Sequence, residues 1–213
     1  MIVTLENLKA GIDWWKQANW GMDIINSEYR GIYDARDDGI TRTWWDASVK
    51  RLWDWKAIRA RKPPNTKEAI KDAGLARLDR IALQIQHIRS TVPSEPGIED
   101  VEWEDIAELF GLSFEIKCGN RRSGSPVFAC KMCHFIFPKI FPVIDNLATG
   151  VFDYEFYWRG MRGEWLRFPD KERAKLQLKE SIICSENATE GIHDLYPWET
   201  KIIELSHIGY AHS

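Results

Sequence analysis

The 213 residues of this chain carry a formal net charge of −3, with 44% apolar and 29% charged residues. This composition is typical of a soluble globular protein with ample length for a core, and it argues against a protein that is basic throughout. No apolar run approaches membrane-spanning length, and the first fifteen residues lack the basic start and apolar stretch of a secretory signal. We therefore expect a cytoplasmic protein with no membrane partner.

Apolar residues recur at helical spacing through most of the chain, and strand patterns are few. In chain order, the pattern predicts helices over residues 5–20 and 42–60, a helix from a cap at Asn65 or Thr66, and helices over 75–89 and 101–109. An extended stretch is expected over 114–117, followed by helices over 126–137, 146–158, 165–178 with a break at Pro169, and 198–207. The predicted fold class is mostly α, a two-lobed helical domain with a helix-hairpin-helix-like element and few or no strands. One domain spans 1–213, with a Trp-rich basic lobe over about 1–90 and a second lobe over about 98–213.

Charge and tryptophan are unevenly distributed. Residues 50–80 contain ten Lys or Arg against four acids, whereas residues 95–115 contain eight acids and no base. Such asymmetry is found in polyanion-binding proteins, but ordinary solvated helix faces also produce it. The chain has eleven tryptophans, and we expect most of them to pack the core, with one or two as possible stacking faces for bases or sugars.

The segment 124–146, GSPVFACKMCHFIFPKIFPVIDN, is the most informative part of the sequence. Ser125 is a good N-cap and Pro126 suits the first helical position, so a helix is expected to begin here and to end before Pro138. Pro142 stiffens the apolar approach to Asp145. A carboxylate on such a lead-in is either the N-cap of the next helix or a catalytic acid, and the residue types leave both roles open.

Two polar side chains interrupt the apolar helix of this segment. Lys131 needs a partner if it is buried, because an unpaired ammonium is costly to desolvate. It either contacts Asp145, a phosphate or an abasic product, or it reaches the surface or a nearby acid. His134 is interpreted as a core histidine with its hydrogen bonds satisfied.

The run from Cys130 to His134 has the Cys-x-x-Cys-His pattern of c-type haem attachment. The apolar helix around it and the missing export signal argue against haem, and no second paired ligand set at standard spacing indicates zinc. We expect reduced, buried thiols and predict no cofactor and no metal.

The segment resembles the helix-hairpin-helix DNA glycosylase superfamily, to which 8-oxoguanine DNA glycosylase belongs. That family has a glycine-bearing hairpin, a helix directly after it, and an aspartate in a Pro-Val-Asp context. Here Gly124 to Val127 stand at the hairpin end and helix start, and Phe141 to Asp145 stand at the aspartate motif. Asp145 follows Pro126 by nineteen residues, which matches the lysine-to-aspartate spacing of the bifunctional members. Base-excising phage-defence glycosylases are similar in the same way.

The departures from the family pattern bear on mechanism. The sequence Asn120 to Gly124 replaces the usual Leu-Pro-Gly-Val-Gly, and Ile144 is an extra residue before Asp145. Pro126 occupies the position of the nucleophilic lysine and cannot form a Schiff base, so the resemblance implies a monofunctional glycosylase. Its DNA partner would present a flipped modified base, with Asp145 and Lys131 as catalytic residues. The implied DNA-binding residues are Asn120, Arg121, Arg122, Ser123, Gly124 and Ser125.

A non-catalytic DNA- or nucleotide-binding module, with Asp145 only a helix cap, is the alternative. A catalytic Asp145 also has a physical basis that is independent of the family. Hydrolysis of an N-glycosidic bond passes through an oxocarbenium-like sugar, which a rigid, partly desolvated carboxylate stabilises. A glycine turn and a helix N-terminus supply backbone N–H groups for a phosphate, and Arg121 and Arg122 add charge.

Overall fold

The computed structural model describes residues 1–17, 39–58, 64–92, 95–117, 125–144, 150–183, 192 and 196–213. Within these ranges the chain forms nine α-helices and no strand, which confirms the mostly helical fold class. The helices are α1 Leu5–Gln17, α2 Arg42–Asp54, α3 Lys67–Leu75, α4 Leu78–Thr91, α5 Trp103–Phe114, α6 Ser125–Ile136, α7 Tyr154–Arg167, α8 Lys171–Ile183 and α9 Trp198–His212. None of these helices combines the length and the apolar character needed to cross a bilayer.

Short polar residues begin several of these helices. The hydroxyls of Thr41 and Thr66 accept hydrogen bonds from backbone N–H groups three residues on, at 3.2 and 3.1 Å, and so cap α2 and α3. Asp153 caps α7 in the same way, accepting from Phe156 N at 3.1 Å. Pro138 follows the end of α6, as its fixed φ and missing N–H predict.

Several predicted boundaries are wrong. The helix expected over 165–178 is instead the end of α7 at Arg167 and the start of α8 at Lys171. The helix expected over 42–60 ends at Asp54, because Lys56 adopts a left-handed backbone with φ of 55°. The stretch 114–117, expected to be extended, continues α5 through Phe114 and then turns. The helix expected from residue 146 does not run through 150–153, and α7 begins only at Tyr154, so its N-cap is Asp153 rather than Asp145.

One hydrophobic core joins the described helices from both halves of the chain. It buries Trp44 and Trp45 of α2 together with Trp158 and Trp165 of α7, each at most 1% exposed. The prediction that most tryptophans pack the core is therefore confirmed for these four. The expected division into two lobes stays a prediction.

Close helix crossings tie the chain together. α1 packs against α9 at Gly11 and Gly209, where backbone meets backbone without intervening side chains. Gly74 of α3 lies directly beneath the Trp45 ring of α2, whose Nε1 donates to Lys71 O at 2.8 Å. Helices at such short separation tolerate only glycine at the contact.

The basic and acidic segments partly neutralise each other. Arg77 and Arg80 reach Glu115 and Glu108 at 3.5 and 3.6 Å, which joins the end of the basic segment to the acidic one. Further acids of the acidic segment pair with α7 and α8, in the ion pairs Glu104–Arg159, Glu102–Arg162 and Lys171–Glu99. Internal ion pairs thus neutralise part of the charge that is unevenly distributed in the sequence.

Candidate functional site

The helix α6 lies in the centre of the fold. Its side chains Phe128, Met132, Phe135 and Ile136 are at most 2% exposed, so the apolar pattern of the segment reflects burial on nearly every side. A helix enclosed in this way gives any polar group on it a low-dielectric environment.

The chain leaving α6 is held by side chains from several helices. The carbonyl of Ile140 accepts from Trp158 Nε1 at 2.9 Å, and that of Pro142 accepts from the Tyr154 hydroxyl at 2.8 Å. Between them, Phe141 O accepts from His134 Nδ1 at 2.6 Å. Three consecutive carbonyls are therefore fixed by buried rings, and the backbone that leads to Asp145 has a defined course as far as Ile144.

Ile144 closes this anchored segment, which we call the lead-in (residues 137–144). Its N–H donates to Cys130 Sγ at 3.5 Å, and its side chain is 1% exposed. The lead-in thus returns to α6 beside the residue that precedes Lys131. Asp145 lies outside the described residues.

His134 is the satisfied core histidine that the sequence predicts. Since Phe141 O can only accept, Nδ1 carries the proton of that hydrogen bond. Burial, together with the positive charge of Lys201, holds the pKa of His134 well below its ordinary value, although the bond to Phe141 opposes this. The imidazole is therefore neutral at physiological pH and serves to orient the lead-in.

Lys131 is half-buried and makes its contacts with the end of α2. Its Nζ donates to Trp55 O at 3.0 Å and lies 4.9 Å from the centroid of the Trp55 ring. A backbone carbonyl and an indole face stabilise the ammonium at this position. Three functional roles are expected for Lys131, namely contact with Asp145, with a DNA phosphate or with an abasic product, and all three stay predictions, the first because Asp145 lies outside the described residues.

A second lysine approaches the same indole from α9. Lys201 Nζ lies 5.6 Å from the Trp55 ring centroid and forms an ion pair with Glu204 at 2.7 Å. The two side chains of this pair are 2% and 5% exposed. Burying two charges costs free energy even when they are paired, so we do not expect this ion pair to be a net source of stability.

Besides burial, the negative charge of Glu204 contributes to raised pKa values in neighbouring side chains. Burial first, and then Glu204, raise the pKa of Tyr157 and of Tyr196, and both phenols are therefore neutral. Burial likewise raises the pKa of Cys130 to about 12, with Glu204 adding to the shift. A polar cluster thus lies around Trp55 and comprises Lys131, His134, Lys201 and Glu204, of which the last three are buried.

Sequence reasoning identified Lys131 and His134 but missed Lys201 and Glu204. The available signal was a lysine and a glutamate three residues apart in α9, flanked by Ile202, Ile203 and Leu205. Opposite charges at this spacing can pair along one helix face, and the apolar neighbours on all sides indicated burial.

The cysteines of α6 are structural. Cys130 Sγ contacts Val127 O at 3.2 Å, and Cys133 Sγ contacts Ser113 Oγ at 3.3 Å. Both thiols are fully buried, and burial raises the pKa of each. In the part of the chain that the structure describes, no group of three His, Cys, Asp or Glu side chains is placed to hold a metal ion.

The remaining site predictions fall largely outside the described residues. Asn120, Arg121, Arg122, Ser123 and Gly124 lie in the range 118–124, and only the backbone of Ser125 is described, as the first residue of α6. The predicted start of the helix is thus confirmed to within one residue, whereas the DNA-binding role of the turn before it stays a prediction.

Comparison of the chain with protein-family models, with curated proteins and with solved structures finds no match.

Proposed function

We propose that this chain is a monofunctional DNA glycosylase that hydrolyses the N-glycosidic bond of a modified base and leaves an abasic site. One observation carries the proposal: side chains from α6 and α7 anchor the carbonyls of Ile140, Phe141 and Pro142 in the lead-in. A backbone fixed in this way is what a catalytic carboxylate directly after it requires, because preorganisation removes the cost of orienting the acid during the reaction.

The chemistry follows from the charge that develops on the sugar. As the bond to the base breaks, the deoxyribose becomes oxocarbenium-like, and the Asp145 carboxylate stabilises it and orients the attacking water. Pro126 has no amine, so release proceeds by hydrolysis rather than through a Schiff base. Lys131, on the helix that holds Ile144, supplies positive charge for the phosphate or the abasic product.

Replacing Asp145 by asparagine is expected to slow base release by about 100- to 1,000-fold while leaving DNA affinity nearly unchanged. Asparagine keeps the shape and the capping ability of aspartate but not its charge. Abasic-site formation is measured over a panel of duplexes with damaged and phage-modified bases, and binding is followed by fluorescence anisotropy.

Asp170→Asn is the matched control, since Asp170 pairs with Arg173 at 3.2 Å on the surface and should retain full activity. Undiminished base release by Asp145→Asn contradicts the mechanism. A wild-type protein that binds these duplexes without releasing any base supports the non-catalytic module instead.

The double variant Arg121→Gln/Arg122→Gln is expected to bind DNA more weakly and with a shallower salt dependence. Each lost phosphate contact reduces the slope of log K against log salt by about 0.9, so the slope should fall by roughly 1 to 2. Titrations at several salt concentrations measure this slope. A wild-type affinity that does not change with salt argues against a nucleic-acid partner altogether.

A further inference from the structure

A surface groove with an aromatic wall lies where the first turns of α6 and α7 approach α5. Its cavity volume is about 560 Å³, and Trp103, Phe110, Phe114 and Pro126 line it together with the segment 152–155. Pockets of roughly 300–1,000 Å³ hold ligands of nucleoside size or somewhat larger. The groove is thus large enough for one flat bicyclic ring and its substituent.

The aromatic wall is held in place by the core. Phe110 and Tyr154 stack with their ring centroids 4.7 Å apart and their planes within 5°. Trp103 packs against both rings, at 5.4 and 6.0 Å between centroids. Trp103 and Tyr154 are 7% and 2% exposed, whereas Phe152 is 53% exposed and stands at the solvent side. A planar ring that enters the groove therefore contacts side chains that lose little conformational entropy on binding.

The rim of the groove is acidic. Asp153 and Glu155 both line it, and Asp153 also caps α7. Glu155 binds Arg159 at 2.9 Å, and the same guanidinium binds Glu104 of α5 at 2.5 Å. Among the described residues at this rim, the guanidinium of Arg159 thus pairs with two carboxylates, and Asp153 adds a third negative charge, which leaves the rim negative.

We propose that this groove binds a planar aromatic cation of about the size of a single nucleoside. Phe152, the most exposed ring of the lining, offers a face that attracts a positive charge and on which a flat ring stacks. The carboxylates of Asp153 and Glu155 add Coulomb attraction that a neutral ring of the same shape lacks. The inference does not rest on base excision, because it concerns binding at α5 and α7 rather than the chemistry at Asp145.

Isothermal titration calorimetry of the full chain tests this with two matched nucleosides. 1-Methyladenosine is a cation near neutral pH, and adenosine is its neutral counterpart of almost the same shape. We expect 1-methyladenosine to bind about tenfold more tightly, the order of a partly desolvated cation–π contact. Equal affinities for the two nucleosides, or no binding of either, would overturn the proposal.

Two pairs of variants locate the site. Phe152→Ala should weaken both nucleosides about tenfold through lost stacking, whereas Phe156→Ala, at a 77% exposed position outside the groove lining, should change neither. Asp153→Asn with Glu155→Gln should reduce the preference for the cation to about twofold or less, and asparagine preserves the cap of α7. Unaltered affinity in Phe152→Ala also overturns the proposal, and circular dichroism verifies that each variant is folded.

Discussion

Gly209→Ala is expected to lower the free energy of unfolding by about 3 kcal/mol, the upper end of ordinary overpacking costs. A Cβ at this position would stand 1.9 Å from Asn7 O and 2.6 Å from Gly11 N across the crossing of α1 and α9. Both obstacles are backbone atoms, which no side-chain rotation can move aside. The two helices must separate, and the core between them loses contacts. Urea denaturation followed by circular dichroism measures the change.

Gly160→Ala is the matched control with the opposite sign. A Cβ on Gly160 of α7 meets nothing within 4 Å, so only helix propensity changes and stability should rise by up to about 1 kcal/mol. Gly11→Ala should resemble Gly209→Ala, because its Cβ would stand 1.9 Å from Leu205 O. The double variant at Gly11 and Gly209 should cost less than the sum, since one helix shift accommodates both methyl groups. A neutral Gly209→Ala contradicts the close crossing.

Glu204→Gln is expected to lower the free energy of unfolding by about 3–5 kcal/mol near neutral pH. The substitution removes the carboxylate that lies 2.7 Å from Lys201 Nζ, while the ammonium stays in a site where its side chain is 2% exposed. The low local dielectric makes that charge much more costly once its counter-charge is gone. Chemical denaturation measures the loss, and the reverse variant Lys201→Met should cost a similar amount.

Replacing both members of the pair should cost far less than either single change. In Lys201→Met/Glu204→Met neither charge of the pair remains, and replacement of a buried ion pair by apolar residues is often neutral or stabilising. Glu172→Gln is the matched surface control, because Glu172 pairs with Lys175 at the same spacing of three residues but is 88% exposed. It should have little measurable effect. If Glu204→Gln lowers the free energy of unfolding no more than Glu172→Gln does, the Lys201–Glu204 ion pair makes no electrostatic contribution that depends on its burial.

The parts of the fold predicted from sequence are those with local causes. Thr66 caps α3 as expected, and α6 begins at Ser125 and ends just before the Phe137-Pro138 break. Both features depend on groups within four residues along the chain, which is the range that a sequence pattern reports. The end of α2 escaped prediction because Lys56 takes a left-handed backbone that its residue type does not favour.

The candidate site likewise contains contacts between near neighbours in the chain, which the sequence predicts, and contacts between distant residues, which it does not. Lys131 and His134 stood out as polar residues on an apolar helix, and His134 proved to be satisfied by Phe141 only seven residues away. One partner of Lys131 is the carbonyl of Trp55, 76 residues earlier in the chain, which no local pattern indicates. Asp145 was singled out by its proline-rich approach, and its catalytic role stays a prediction.

By itself, the sequence determined where several helices begin, that α6 is apolar on almost all sides, and that Asp145 follows a stiff apolar approach. Only the tertiary structure decided that three ring side chains hold that approach, and that Lys131 and Lys201 meet at the Trp55 ring. The reason is physical: helix ends depend on hydrogen bonds between near neighbours in the chain. The partners of buried polar groups depend instead on which distant segments the packed core brings together.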